Sequence, residues 1–502
     1  SDVYSYLTSI TAYNYFNNGG DTLLVTRVAT GSFTSATSSI VANGSTSSSF
    51  VLETISEGTI MNSDGVLNTD GTIVNGTSDN IRWEVTNSNT GSGDFNLVIR
   101  RGDDKTLNKV ILETFNGVNL DPNSSKYISK VIGDQAISYS STENQIDITS
   151  GTYSNVSRYV RVKSVDASTP NYLDNSGNAK TAFTGSIPVN ASGSFGSATG
   201  GLTGGMNFYG DISTQTQGLT EGNYTDMVNL LANSSDYSFN VLLTPGLLNA
   251  DHTSVMSSII SNTQQRGDSI YIADMVSYSS TLASATSQAQ TRNTSYAATY
   301  WPWVRVQDPD TGKQVWVPAS VVMGGVYAYN DKVGAPWLAP AGISRGGLPT
   351  VIRAKNKLSE ANKAELYSNN INPISTFPKK GVVVYGQKTL QKGASSLDRV
   401  NVRRLLIELK SFIGQVADNL VFEQNTQTTR SKFVNSVVPY LEGIQQKQGL
   451  YAFKVQMDES NNTPDVIDRN QLVGQIFIQP TKTAEFINLD FIIQPTGAEF
   501  PA

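Results

Sequence analysis

A chain that opens with a helix and a buried strand, and then offers that strand no neighbour until residue 206, has to fold around an interruption. Val3, Tyr6, Leu7, Ile10, Tyr13 and Phe16 fall at helical spacing, and Gly19-Gly20 stops that helix. Thr22-Leu23-Leu24-Val25-Thr26-Arg27-Val28 then reads as a buried strand that needs a sheet to join. From residue 31 the chain turns rich in Ser, Thr, Gly and Asn, with short alternating runs such as Val160-Arg161-Val162-Lys163 between polar loops. Residues 31–205 therefore read as a β-rich inserted domain.

After 206 an alternating pattern resumes. Residues 224–232 look helical, Phe239–Thr244 looks like a buried strand, and 253–265 places Val255, Met256, Ile259 and Ile260 on one helical face before the next strand at 269–273. Strand, helix, strand implies a parallel pair joined by a right-handed crossover, and the strand at 22–28 is expected in the same sheet. Two alternating runs, Trp303–Val306 and Gln314–Val317, flank Asp308-Pro309-Asp310-Thr311-Gly312 and predict a hairpin. From 346 the chain is expected to become helical. Its strongest helix starts after Asp398, with Val402, Leu405, Leu406, Leu409, Phe412, Ile413 and Val416 on one stripe. A second helix is expected over 428–444, then strands at 450–457, 472–479 and 486–494.

The fold class expected is an α/β core, a mixed sheet with flanking helices, interrupted by a β-rich inserted domain and followed by an α+β C-terminal assembly domain. The boundaries are 1–30 for the first helix and strand of the core, 31–205 for the insertion, 206–345 for the rest of the core and 346–502 for the assembly domain.

Composition removes most chemistry before any motif is weighed. The chain has no cysteine and one histidine, so thiolate metal sites and sites with two imidazoles are excluded, and any Ser-His-Asp arrangement would have to use His252. His252 reads as a solvated residue at a helix start, with Asp251 or Thr253 as N-cap. Gly200-Gly201-Leu202-Thr203-Gly204-Gly205 lacks the Lys-Ser/Thr of a phosphate loop and reads as a turn. Asp308-Pro309-Asp310 and Asp458-Glu459-Ser460-Asn461-Asn462 read as turns and not cation loops. No catalytic residue, metal or cofactor is expected, and the chain is not read as an enzyme. No run reaches the roughly 20 apolar residues of a membrane helix, so no membrane insertion is expected. The first residue is Ser1, and the chain is expected to begin part-way into a longer gene product.

Charge is uneven. Residues 345–410 hold thirteen Lys and Arg against four Asp and Glu, a net of +9 in a chain of −6. A solvated face is the plainer reading; docking to an acidic partner is the functional one. Direct nucleic-acid binding is not expected, because no binding motif accompanies the charge and the acidic remainder would repel phosphate.

Residues 295–347 run from Ser295-Tyr296-Ala297-Ala298-Thr299-Tyr300-Trp301-Pro302-Trp303 to Pro336-Trp337-Leu338-Ala339-Pro340 and Ile343-Ser344-Arg345-Gly346. With Leu397–Leu405, Asn462-Thr463-Pro464, Ile467–Asn470, Gln479-Pro480 and Ala484–Ile487, this closely resembles contractile tail sheath proteins of bacteriophages, most of all the T4-like type. The early Tyr15–Gly20 with Val25–Val28, and Phe95–Asp103 and Asn119–Gly133, look like the family's first helix–strand and its inserted domain. The resemblance implies subunits that form stacked hexameric rings around an inner tail tube, and that slide and rotate outward to drive the tube through the host envelope. It implies baseplate and tail terminator partners, and a virion location after assembly in the host bacterial cytoplasm. It also implies strand exchange through terminal arms, for which Ile487, Leu489, Phe491 and Ile493 alternate on one face, and a tube-facing helix, for which Arg399, Arg403, Arg404 and Lys410 are the candidates. The family's N-terminal arm is not found before the opening helix. The sheath of a headless contractile injection system is an alternative. A tail-associated carbohydrate-binding or carbohydrate-hydrolysing protein, suited to the polar loops, is an alternative of another class.

Overall fold

The computed structural model describes residues 7–28, 32–43, 47–63, 65–200, 221–309 and 311–485. The chain divides into two compact units, Val28–Gly205 and the remainder, Ser1–Arg27 with Met206–Ala502.

The first helix, α1 (Leu7–Asn17), buries Leu7, Ile10, Thr11 and Asn14 on one face. Thr11 and Asn14 donate to the carbonyls of Leu7 and Ile10 at 2.8 and 2.9 Å, so the donors of both buried side chains are met by the helix's own backbone. The strand expected at 22–28 is not formed. Leu23, Leu24 and Val25 are exposed, because no strand among the described residues offers this run a ladder of backbone hydrogen bonds.

The 28–205 unit is built on antiparallel sheets. β1 (Ser35–Val41), β2 (Ser48–Glu57) and β8 (Val160–Val165) form one; β3 (Ile81–Thr86), β4 (Phe95–Arg101), β5 (Ile111–Val118) and β9 (Ala191–Ser194) form another in the order β5-β4-β3-β9. The hairpin β6 (Ala136–Ser140) and β7 (Gln145–Ser150) stands apart, and short helices α2 (Ile128–Ile132) and α3 (Thr181–Thr184) complete the unit. Phe50, Leu52, Phe95, Leu97, Ile99 and Phe195 centre its core, with the Phe50 and Phe95 rings stacked at 5.6 Å. Arg82 and Arg100 lie directly opposite each other and are buried. That like-charge pair is held by Asp104, which accepts from Arg100 Nε and Nη2 at 2.7 and 2.8 Å, and by Glu84 at 3.1 Å.

The other unit is organised on a five-stranded sheet in the order β10-β11-β12-β16-β17. β10 (Val241–Leu248), β11 (Ile270–Asp274) and β12 (Ala297–Trp301) are parallel, joined through α5 (Thr253–Arg266) and α6 (Leu282–Ala289), with α4 (Thr225–Leu231) ahead of β10. The hairpin β13 (Val304–Gln307) and β14 (Gln314–Val317) forms as expected, and Asp308 accepts from Thr311 across its turn at 2.8 Å; Asp310 lies outside the described residues. α7 (Ser320–Val333) then crosses the core, and α1 packs against it. The approach is close: a Cβ at Gly325 would sit 2.8 Å from the Asn14 carbonyl oxygen, so only glycine fits there.

The chain does not turn wholly helical at 346. β15 (Val351–Ala354) pairs with β13, and after α8 (Glu360–Ser368) the strands β16 (Asn372–Phe377) and β17 (Gly381–Val384) extend the central sheet, β16 parallel to β12 and β17 antiparallel. Pro373 hides β16 from a sequence reading, since proline gives no donor to a ladder. The side chain of Asn372 makes up the link, donating to Thr299 and Lys388 carbonyls at 3.0 and 2.8 Å. Last come α9 (Val400–Asp418), α10 (Gln427–Gln446), β18 (Leu450–Gln456), α11 (Pro464–Asp468) and β19 (Gln475–Pro480). Leu405, Leu409, Phe433, Val437, Leu441 and Ile444 form the core between the two long helices.

His252 starts α5 as expected but is not solvated. It is 2% exposed, and its Nδ1 accepts the Leu248 N–H at 3.1 Å, which ties the helix start back onto the end of β10. The turn at Asp458 is as read, with its carboxylate accepting the Ser460 N–H at 2.9 Å, whereas Gly201–Gly205 lie outside the described residues.

Candidate assembly interface

α9 starts as a buried helix and ends as a surface one. Val400 to Leu405 are all buried, whereas Ser411, Gln415, Ala417 and Asp418 are exposed. The basic residues of its first turns are therefore in the interior. Arg403 donates to the Ser295 carbonyl at 3.2 Å and to the Ser295 hydroxyl, with its guanidinium 3.9 Å over the Tyr296 ring. Burial pulls its pKa down, against the opposing pull of Tyr296. Arg404 reaches Asp331 on α7 at 2.5 Å and lies 4.7 Å over the Tyr327 ring.

Arg399, just before the helix, pairs with Asp398 at 3.1 Å and with Glu485 through Nε and Nη2 at 2.7 and 3.0 Å. Lys410 is the one of the four on an exposed residue, and its Nζ donates to the Arg266 carbonyl at 2.8 Å. The structure thus brings Arg399, Arg403 and Arg404 into internal contacts and leaves Lys410 at the surface. A basic stripe on a helix gives no sign in sequence of which guanidiniums meet an aromatic ring from residues 296 or 327.

Two surface features carry no internal partner of their own kind. β18 and β19 form a two-stranded sheet, and among the described residues no third strand pairs with the outer edge of either. One face packs on α10 through Phe453, Val455, Ile476 and Ile478, while Tyr451 and Phe477 are 63% and 52% exposed. Such an edge presents unpaired backbone donors and acceptors in a row. The loop from α9 to α10 holds Val421 at 58% exposure and Phe422 fully exposed at φ 70°, in the left-handed region that a bulky residue rarely adopts. Sequence reading missed this tip because one phenylalanine in a short polar loop has no periodicity. The arm residues Ile487, Leu489, Phe491 and Ile493 lie outside the described residues, which end at Glu485.

Residues 218–390 match the phage tail sheath protein central domain, and residues 393–494 match the phage tail sheath C-terminal domain. The chain is 40% identical over 208 residues to the tail sheath protein of Vibrio phage KVP40, covering 41% of this chain and 31% of the relative. It is 40% identical over 185 residues to the tail sheath protein of Enterobacteria phage T4, covering 37% and 28%. The chain thus spans about a third of the length of the curated relatives it matches. A sheath tail protein from Listeria innocua superposes with a TM-score of 0.49 at 12% identity, covering 89% of this chain and 81% of that one.

Proposed function

The chain belongs to the phage tail sheath family, of the contractile T4-like type, and on that premise we propose that it is a structural subunit that polymerises as stacked hexameric rings around an inner tail tube. Contraction of that lattice drives the tube through the host envelope, and the subunit performs no covalent chemistry. The work comes from a free-energy difference between two packings of the same subunits, a bistable-interface mechanism.

The observation that carries this reading is the open β18–β19 sheet inside the region that matches the sheath C-terminal domain. A strand from a neighbouring copy completes such a sheet through main-chain hydrogen bonds, with alternate side chains setting register. Ile487, Leu489, Phe491 and Ile493 are the proposed donor strand. Inner tube, baseplate and tail terminator are the proposed partners, the virion tail the proposed location, and the host cytoplasm the place of assembly. For the tube contact, Lys410 is the favoured member of the basic set, because it alone of the four is exposed, whereas Arg403 and Arg404 are buried and Arg399 is paired with Glu485. The phage relatives favour a virion over a headless injection system.

Negative-stain electron microscopy of the purified chain with its tube protein tests the proposal. Striated hollow cylinders or six-fold rings are expected. Discrete particles that never polymerise would overturn it and send the inquiry to glycan binding.

A further inference from the structure

The last described residues are fastened to the body by one carboxylate. After β19 ends at Pro480, Thr481 is tied through its N–H to the Gly449 carbonyl at 3.2 Å and through its hydroxyl to Gln448 at 2.6 Å. Lys482, Thr483 and Ala484 are then exposed. Glu485 turns back inward, and four donors from three places in the fold converge on it. Arg399, at the start of α9, grips both oxygens at 2.7 and 3.0 Å; Tyr367, at the end of α8, donates its hydroxyl at 2.6 Å; Gln387, after β17, donates at 3.2 Å. Gln387 is itself buried and also donates to Thr483 at 2.5 Å. The Tyr367 ring is flanked by Lys388 at 4.4 Å and Arg399 at 5.9 Å, so the cluster is held from both sides.

A bidentate arginine with two further donors is more than an exposed tail root requires, and it defines position as well as adding energy. We propose that Glu485 is a positioning residue: it clasps the root of the C-terminal segment to the start of α9, and so fixes the point and direction from which residues 486–502 leave the subunit. The use of that direction, delivery of a strand to a neighbouring copy, rests on the sheath reading; the clasp itself does not. Any pull on the C-terminal segment enters the body at Arg399 and passes directly into α9. From there Arg403 carries it to Ser295, just ahead of β12, and Arg404 to α7. Burial favours the neutral acid at Glu485, but the bonds from Arg399 and Tyr367 outweigh it and hold the carboxyl below its usual range.

Lys482 makes the clasp measurable, because residues 483–502 contain no other lysine or arginine. Trypsin cleavage after Lys482 requires the flanking residues to detach, and intact mass reads the loss of 483–502. Hydrogen bonds to a charged group are among the stronger ones, so E485A and R399A should each speed that cut about ten- to a hundredfold, with Y367F between them and wild type. Glu485 lies outside the hydrophobic cores, so E485A keeps the body folded, which circular dichroism checks. Rates equal to wild type in E485A and Y367F overturn the clasp. In assembly with tube protein, folded E485A should give few or irregular cylinders; cylinders indistinguishable from wild type overturn the positioning role. A wild-type chain that never polymerises overturns the sheath reading instead, and the protease ratio still decides the clasp.

Discussion

Arg404 on α9 and Asp331 on α7 meet at 2.5 Å, with the arginine 3% exposed and the aspartate 31%. The pair joins the helix that begins the last fifth of the chain to the helix on which α1 packs, and the Tyr327 ring beneath the guanidinium closes the site from below. Truncating a buried arginine leaves its partner uncompensated, so R404A is expected to cost about 2–4 kcal/mol in urea unfolding of the unassembled chain. K410A, on an exposed residue, should stay within about 0.5 kcal/mol of wild type and show its effect in tube binding. The reverse ordering of the two variants would put the structural cation at the wrong position.

Gly325 predicts a second loss of stability. A methyl group there meets a backbone oxygen, which has no rotamer through which to yield. G325A should therefore destabilise the chain by about 1–3 kcal/mol despite the better helix propensity of alanine, as α1 is forced off α7. A rise in the urea midpoint would contradict the close helix approach.

Asp274, at the end of β11, is fully buried; its oxygens accept from the Ser320 N–H at 3.2 Å and the Ser320 hydroxyl at 2.5 Å at the start of α7. Burial pushes its pKa up to about 7, with the Ser320 bonds opposing. The folded chain thus holds this proton more tightly than the unfolded one, whose value is near 3.8. The stability it contributes is complete below that unfolded value and is lost as pH rises toward 7. D274N should flatten the fall in unfolding free energy between about pH 5 and 7, measured by urea titration at each pH. Parallel pH profiles for the two proteins would assign the titration to another group.

Phe422 predicts the opposite behaviour from a core residue. Its ring is fully exposed and its backbone left-handed, a conformation asparagine tolerates better. F422N should leave the unassembled chain as stable or more stable by up to about 1 kcal/mol. If the tip meets another copy, the same variant lowers the yield of cylinders; unchanged yield would confine the residue to the loop.

What was legible from sequence follows physical lines. α9 and α10 were read within a residue or two of their observed ends, because a long amphipathic stripe has one interpretation. The β10–α5–β11 unit was legible because its buried runs are short and its connecting helix is periodic. The run at 22–28 misled: apolar residues in a row signal a strand only where a partner edge exists, and edges are not written locally. β16 was hidden by Pro373 and rescued by the Asn372 side chain, a contact with Thr299 that no local pattern announces. The interior placement of Arg403 and Arg404 failed for the same reason, since their aromatic partners lie more than seventy residues away. Glu485 stands in the Ala484–Ile487 run that carries the resemblance, but nothing local marks Arg399, Tyr367 and Gln387 as its partners.

The packing of α1 on α7 sets an order of events during synthesis. The first helix leaves the ribosome long before residues 320–333 exist, and the whole 28–205 unit, with its own core, is made in between. Domains fold as units during translation, so that unit is complete while α1 still waits with Leu7 and Ile10 unburied. α1 thus precedes the 28–205 unit in the chain and follows it in packing, and a nascent chain stalled before residue 333 leaves the apolar face of Leu7 and Ile10 without its α7 partner.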